Sequence, residues 1–575
     1  IASHFGRYAE AGQLQVDALY DRLPLDNAVV IGRSGQRLAG LTLPQVEGPT
    51  LLMRPNPRNP LFKLLLVVGN SDVEVARAAR GLALSGLGES RDSAAPVTLS
   101  GERLRLDDER LSPPAPREPY DAPRWVDVET PASLATLGEP EGFVARGLSA
   151  REHALSLRVP PDLFLWPGQN YRLRVDYRFP DEPWLDPIAS SLDVSLNGEY
   201  LAALPVESGK ALERLWQRLV GAGREQSAEV LLPRDLLYGN NRLQFYFHLA
   251  VADGVDCAPG LGEDAISRIL PTTTLDLRRA EHFSVMPSLS SFVSAGFPFS
   301  RQADLGASVA LVPEAPDESE LSALLTSVGR IAGATGYPAL GIEVRRGLSL
   351  TGDLVDKDLL VVADLASLAQ TSLFDAGVYR ADEGRLTVAE VPWMERWRYW
   401  LLGDWRPLWR EAAQALQDSE VSQGLVSLPS PLNRSRFVVA AVADDAEALP
   451  SLVARLGDDE VSRSVYGDLA LIPVEGSAES FRAGPRQGVG EMPWHMRLRW
   501  MLGQNLVAMA VLLLVVVTLL GLVCHRGLAR RAARRLQGGQ ADAPEDQADA
   551  PGGRVDTPVA DGKGQSDNTR GAPRR

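Results

Sequence analysis

Six histidines, two cysteines and a few carboxylate pairs could in principle hold a metal or drive acid–base chemistry, and their spacing argues against each use. His4, His153, His248, His282, His495 and His525 form no His-x-x-x-His pair, so no helix face would offer two imidazoles to one ion. Cys257 and Cys524 lie far apart and Cys524 falls inside an apolar run, which leaves neither a disulfide framework nor a zinc site. No Ser/His/Asp or Cys/His grouping stands out for nucleophilic catalysis. Asp444–Asp445 and Asp458–Asp459–Glu460 fall at expected helix starts or turns, where capping is the ordinary use of a carboxylate and paired-acid hydrolysis is not implied.

Arg499–Trp500 fits the end of the QxxRW motif of processive glycosyltransferases, but position 496 is Met and the pair abuts an apolar run. No DxD within a nucleotide-sugar domain accompanies it, and the catalytic reading is rejected. Aromatic residues carry what ligand signal remains. Trp166 before Pro167–Gly168 and Trp184 in FPDEPWLDP are expected in loops, where an exposed indole could stack on a sugar ring. Trp393, Trp397, Trp400, Trp405 and Trp409 recur at spacings that put several on one helical face; packing is the ordinary explanation, and a protein or membrane contact the alternative.

The elements that would position these residues follow from hydropathy. Leu506 to Cys524 runs 19 residues without a charge, enough at about 1.5 Å per residue to cross a hydrocarbon core roughly 30 Å thick. His525, Arg526, Arg530, Arg531, Arg534 and Arg535 crowd its C-terminal end, so that end is expected in the cytoplasm and everything before Leu506 outside. The remaining tail is rich in Gly, Pro, Ala, Asp and Gln and is expected to be disordered. Ahead of the span, MPWHMRLRWMLGQN reads as an interfacial amphipathic helix starting at Pro493 and broken at Gly503–Gln504–Asn505. Trp494 and Trp500 are its expected anchors, and Gly503 and Gly521 the small residues that would let a partner helix approach.

An internal repeat organises the outer part. IAGATGYPALGIEV (331–344), DLLVVAD (358–364) and the stretch 425–456 match, in order, FGRYAEAGQLQV (5–16), NAVVIGR (27–33) and the stretch 51–82. In both copies an apolar run ends in a polar turn and leads into a helical pattern, with Asp72 a candidate helix cap; this is the signature of a doubly wound α/β domain. Neither copy carries a phosphate-cradling glycine motif. The opening strand and helix of the second copy, 308–333, have no counterpart ahead of Ile1, and the opening IASHFGRYAEAGQLQV has no basic n-region, apolar h-region or cleavage site, so the sequence reads as a fragment or processed form. Between the copies, alternating runs such as YRLRVDYRF and NRLQFYFHLAV, with Asn197–Gly198 between two of them, predict an antiparallel sandwich or jelly roll; KALERLWQRLVGA predicts a short helix. The formal charge of −15 over 575 residues provides no basic field for nucleic acid.

The strings MPSLSSFVSAGFPFSRQADL and GRIAGATGYPAL within 282–340 closely resemble the BcsB family of bacterial cellulose synthase regulatory proteins, and the resemblance covers essentially the whole chain. It implies a multidomain α/β plus all-β architecture, in which flavodoxin-like domains alternate with a jelly-roll carbohydrate-binding domain. The implied order is 1–90 first flavodoxin-like domain, 91–119 linker, 120–285 jelly roll, 290–475 second flavodoxin-like domain and 476–491 linker. After these come 492–505 amphipathic helix, 506–525 transmembrane helix and 526–575 basic flank and disordered cytoplasmic tail. It further implies a non-catalytic, inner-membrane-anchored periplasmic subunit whose partners are the catalytic cellulose synthase subunit, β-1,4-glucan and membrane lipid. A stand-alone periplasmic glycan-modifying enzyme is the alternative. Arg530–Arg534 and Arg531–Arg535 fit RxxxR, but the [DN]xSxxG half of the cyclic di-GMP receptor signature does not follow. The dinucleotide is therefore expected on the catalytic subunit, with no cofactor bound directly here.

Overall fold

Runs of branched residues that cannot face water become the central strands, and the amphipathic segments beside them become covering helices. The structure, a computed structural model, describes residues 1–9, 14–85, 103–104, 115–121, 125–148, 152–180, 182, 184–206, 225–254, 265–375, 377–382, 384–389, 391–401, 408–418 and 423–538. They divide into two units after Asn505. The first begins with α1 (Ala2–Gly6), β1 (Ala28–Arg33), β2 (Thr50–Asn56), β3 (Asn59–Gly69), α2 (Asp72–Leu84) and β4 (Arg103–Leu104). The sheet order is β1-β3-β2-β4, with β3 parallel to β1 and antiparallel to β2. Leu64, Leu66, Val67 and Val68 make β3 buried on both faces. The cap of α2 is Ser71, one residue before the expected Asp72: the Ser71 hydroxyl accepts from the Glu74 N–H, and Glu74 reaches back to the Asn70 N–H. Asp72 pairs with Arg33 instead.

The middle portion contains β5 (Ala132–Ser133), β6 (Phe143–Arg146), β7 (His153–Arg158), β8 (Leu163–Phe164), β9 (Asn170–Arg178), β10 (Ser191–Leu196), β11 (Glu199–Pro205), β12 (Gln226–Pro233), β13 (Asn240–His248), β14 (Ile266–Ile269), β15 (Thr274–Asp276) and β16 (Glu281–Met286). Two antiparallel sheets form, one in the order β5-β15-β9-β14-β6 with β12 also on β9, the other β11-β10-β13-β7. Alternation drives their packing: Tyr171, Leu173, Val175 and Tyr177 of β9 and Leu243, Phe245 and Phe247 of β13 belong to one buried core. Asn197 and Gly198 both take positive φ, 54° and 85°, and turn β10 into β11, as a two-residue hairpin requires. The helix expected near 210–222 lies outside the described residues.

The third portion holds α3 (Leu289–Ala295), β17 (Ser308–Val312), α4 (Glu318–Thr335), β18 (Glu343–Arg346), β19 (Asp358–Asp364), β20 (Tyr379–Asp382), β21 (Arg385–Val388), α5 (Trp393–Leu401), α6 (Leu408–Asp418), β22 (Gln423–Pro429), β23 (Phe437–Ala443), α7 (Leu449–Arg455), β24 (Leu469–Leu471), β25 (Glu479–Phe481), β26 (Gln487–Gly490) and α8 (Trp494–Gln504). A seven-stranded sheet runs β18-β17-β19-β23-β22-β24-β25, parallel from β18 to β23 and antiparallel beyond. Its segment β19-β23-β22-β24 repeats the order β1-β3-β2-β4; the first three strands of each fall in the matched stretches of the sequence repeat, and the fourth lies beyond them. Asp445 caps the turn before α7 by accepting from the Glu447 N–H.

α1 crosses α4 at glycine. A Cβ on Gly6 would stand 2.1 Å from the Gly329 carbonyl oxygen, so the two backbones meet directly. In the second unit, α9 (Leu506–Gly538) runs unbroken through the apolar segment and on through the basic flank. Among the described residues one helix, Met509–Arg535, is long and apolar enough to cross a membrane. The flank to Gly538 is thus helical, while the rest of the expected disordered tail lies outside the described residues.

Candidate functional site

Two of the predicted aromatic residues, Trp166 and Trp500, meet at a small sheet that joins the sandwich to α8. β16 pairs with β8 on one edge and β26 on the other, so successive side chains of β16 point to opposite faces. On one face, Phe164 lies edge-to-face with Phe283 at 5.6 Å and with Trp166 at 5.1 Å. Trp500 of α8 meets Phe283 edge-on at 5.1 Å, and the Arg499 guanidinium sits 4.1 Å from the centre of the Trp166 ring. A Cβ on Gly488 of β26 would come 2.2 Å from the Phe283 ring, so that ring occupies the space a side chain would need.

On the other face, His282 Nδ1 stands 3.0 Å from the buried Asp162 carboxylate. The Tyr120 ring stacks on His282 at 4.4 Å and its hydroxyl donates to Asp162. Burial works against charge on His282, but the Asp162 hydrogen bond and charge, with Glu491 and Glu281 beyond, raise its pKa above the ordinary value. Burial, then the neighbouring Asp162 charge, pushes the Tyr120 phenol well up. A separate cavity of about 260 Å³ is walled by Tyr379, Arg380, Arg434, Asp468 and Gln487. Asp468 is fully buried, and burial raises its pKa although it accepts from the Tyr379 hydroxyl and the N–H groups of Ala483 and Gly484.

Trp166 and Trp500, expected as a glucan contact and a membrane anchor, are therefore bracketed together. Arg499 covers one face of the Trp166 ring. Trp184 corrects its expectation: its indole is 8% exposed and belongs to the sandwich core, because the loop folds inward through hydrogen bonds pairing Trp184 and Asp186 with 250–252. Trp494 is largely exposed, and a Cβ on Gly503 or Gly521 would meet open space. Of the five-tryptophan stretch, Trp409 packs on the α/β core, Trp393 and Trp397 stand exposed, and Trp405 lies outside the described residues. Sequence reasoning passed over Phe164 and Phe283 and read Arg499 only as part of a rejected glycosyltransferase motif; the alternation of aromatic residues in LFLW and HFSV was the available signal. Among the described residues, no cluster of three His, Cys, Asp or Glu side chains could hold a metal ion.

Along the described residues, two α/β sheets that share a strand order precede and follow an antiparallel sandwich, and one membrane-length apolar helix comes after them. That defines a mixed α and β, multi-sheet protein with a C-terminal membrane-length helix. The families described as "Cellulose synthase BcsB, first FD domain", "second CBM domain" and "second FD domain" match residues 1–96, 131–274 and 282–441. A "Cyclic di-GMP-binding protein" of Salmonella typhimurium is 30% identical over 93% of this chain and 68% of its own length. One from Komagataeibacter xylinus is 30% identical over 93% and 66%. "Cellulose synthase 1" of Komagataeibacter xylinus is 28% identical over 89% of this chain and 33% of its own length. The solved insecticidal delta-endotoxin Cry8Ea1 of Bacillus thuringiensis aligns at 11% identity and a TM-score of 0.14, covering 26% of this chain and 21% of that one, and carries no argument. The chain belongs to the cellulose synthase BcsB family, and it spans about two thirds of the length of the cyclic di-GMP-binding relatives.

Proposed function

We propose that the chain is a non-catalytic subunit of a cyclic di-GMP-regulated cellulose synthase complex. α9 anchors it in the inner membrane, residues 1–505 lie in the periplasm, and the basic end faces the cytoplasm. α8 and α9 dock on the catalytic subunit, with Gly503 of α8 and Gly521 of α9 at the close approaches, and the outer domains guide β-1,4-glucan away from the membrane. Both α/β portions are assigned flavodoxin-like folds and the sandwich a jelly roll.

The observation that carries this reading is the succession of three BcsB-family matches along one chain followed by a membrane-length helix. A protein named cellulose synthase 1 includes a matching stretch within a third of its length, which supports association with a synthase. The names of the relatives support regulation by cyclic di-GMP; the incomplete receptor signature favours the catalytic subunit as its binder. Co-purification of the full chain with a multi-span glycosyltransferase, and loss of that association on deleting residues from Met492 onward, is the expected result. Turnover of cello-oligosaccharides or UDP-glucose by this chain alone would favour the stand-alone enzyme.

A further inference from the structure

α5 presents Trp393, Met394 and Trp397 at 69%, 67% and 62% exposure. At 100° per residue these three share one side of the helix, and Trp397 leans edge-to-face on Trp400 at 5.4 Å. Two indoles and a thioether side by side in water form the kind of apolar patch that marks an interaction surface. The place of α5 in the chain identifies what covers it. Asn505, fully buried, donates through its side-chain amide to the Trp400 carbonyl oxygen. The next residue, roughly 4 Å further along the backbone, is Leu506, where the uncharged run begins. On the anchor reading, the uncharged run thus begins one residue after the side chain that holds the last turn of α5.

We infer that α5 is a second interfacial helix, laid with Trp393, Met394 and Trp397 in the headgroup–acyl boundary of the membrane that α9 spans. Indoles favour that boundary because the ring is apolar and its N–H still finds a partner. Arg396 stays off the apolar side: its Nε donates to the Val391 carbonyl at 2.9 Å, and its guanidinium lies 6.0 Å from the Trp409 ring. α5 and α8 come from segments about a hundred positions apart, so together they would restrain the outer domains at two points where a single tether leaves them free to swivel. The inference rests on the anchor reading of α9.

The test uses the full chain with Cys257→Ser and Cys524→Ser, reconstituted into mixed phosphatidylethanolamine and phosphatidylglycerol vesicles. An environment-sensitive fluorophore is attached at Met394→Cys or, as control, at Ile188→Cys, a sandwich-loop residue 95% exposed. The expected result is blue-shifted emission at 394, quenched several-fold more strongly by shallow lipid-borne quencher than at 188, with the reverse order for aqueous iodide. A chain that floats with vesicles and resists carbonate extraction while 394 behaves like 188 overturns the inference and leaves the anchor standing. Loss of flotation overturns both. Protection of 394 only after addition of a multi-span synthase subunit overturns the lipid assignment in favour of a protein contact.

Discussion

The Arg499–Trp166 contact joins residues from opposite parts of the chain, which is why the sequence marks the tryptophans and not their neighbours. Local alternation reveals a strand, but which helix comes back to lie on it depends on the whole path between. A guanidinium held 4.1 Å from an indole centre should couple by about 0.5–1 kcal/mol. Denaturant unfolding of Arg499→Ala, Trp166→Ala and the double variant in detergent should return that coupling as a cycle. Loss of retention on cello-oligosaccharide gels by Trp166→Ala, with its melting temperature kept, would instead mark the ring as a sugar platform. Half-buried His282 and buried His4 supply a second test, with opposite signs. His282 has a raised folded pKa, so its stabilisation is fully present below about 6.5, the unfolded value, and is lost as pH rises through the folded one. Burial depresses His4 to about 4; its contribution holds above about 6.5 and is lost as pH falls toward the folded value. Thermal melts across pH should show the advantage of wild type over His282→Asn shrinking as pH rises. His4→Gln should lessen the acid-side loss.

At the scale of elements, what was legible follows hydropathy and what was missed follows tertiary contact. The repeat foretold strands and helices of one order because a buried β-strand such as β3 or β23 announces itself as an unbroken apolar run. The hairpin at Asn197–Gly198 was legible because positive φ at two successive positions is a local demand. Packing was the ordinary expectation for the tryptophans of α5, yet two of them face solvent: helical spacing identifies a shared face without saying what lies opposite it. Glycine separates crowded from open helix surfaces in the same way. Gly6→Ala would drive a methyl group into the Gly329 backbone and should cost roughly 1–3 kcal/mol, seen as a lower unfolding midpoint. Gly503→Ala and Gly521→Ala meet open space and should leave the midpoint unchanged or slightly raised. The same two changes should weaken co-purification with the catalytic subunit if those glycines admit a partner helix.

For the whole molecule, the anchor reading predicts a one-sided protease pattern. In intact spheroplasts, added protease should digest residues 1–490 and spare a fragment containing α9 and the basic flank; protection of the large portion would reverse the orientation. The 33 residues of α9 extend about 50 Å, so on the same reading the helix would outlast a hydrocarbon core of roughly 30 Å and its arginines would continue as a helical stub beyond the bilayer. The crossing of α1 and α4 has a different consequence. In the sequence repeat, α1 corresponds to the last turns of α4, yet it packs on α4 itself, backbone against backbone. The two copies thus touch through corresponding helices, along a seam with no room for a side chain at Gly6 or Gly329. Along such a seam the copies cannot diverge separately: any side chain gained by one helix must be given room by the other.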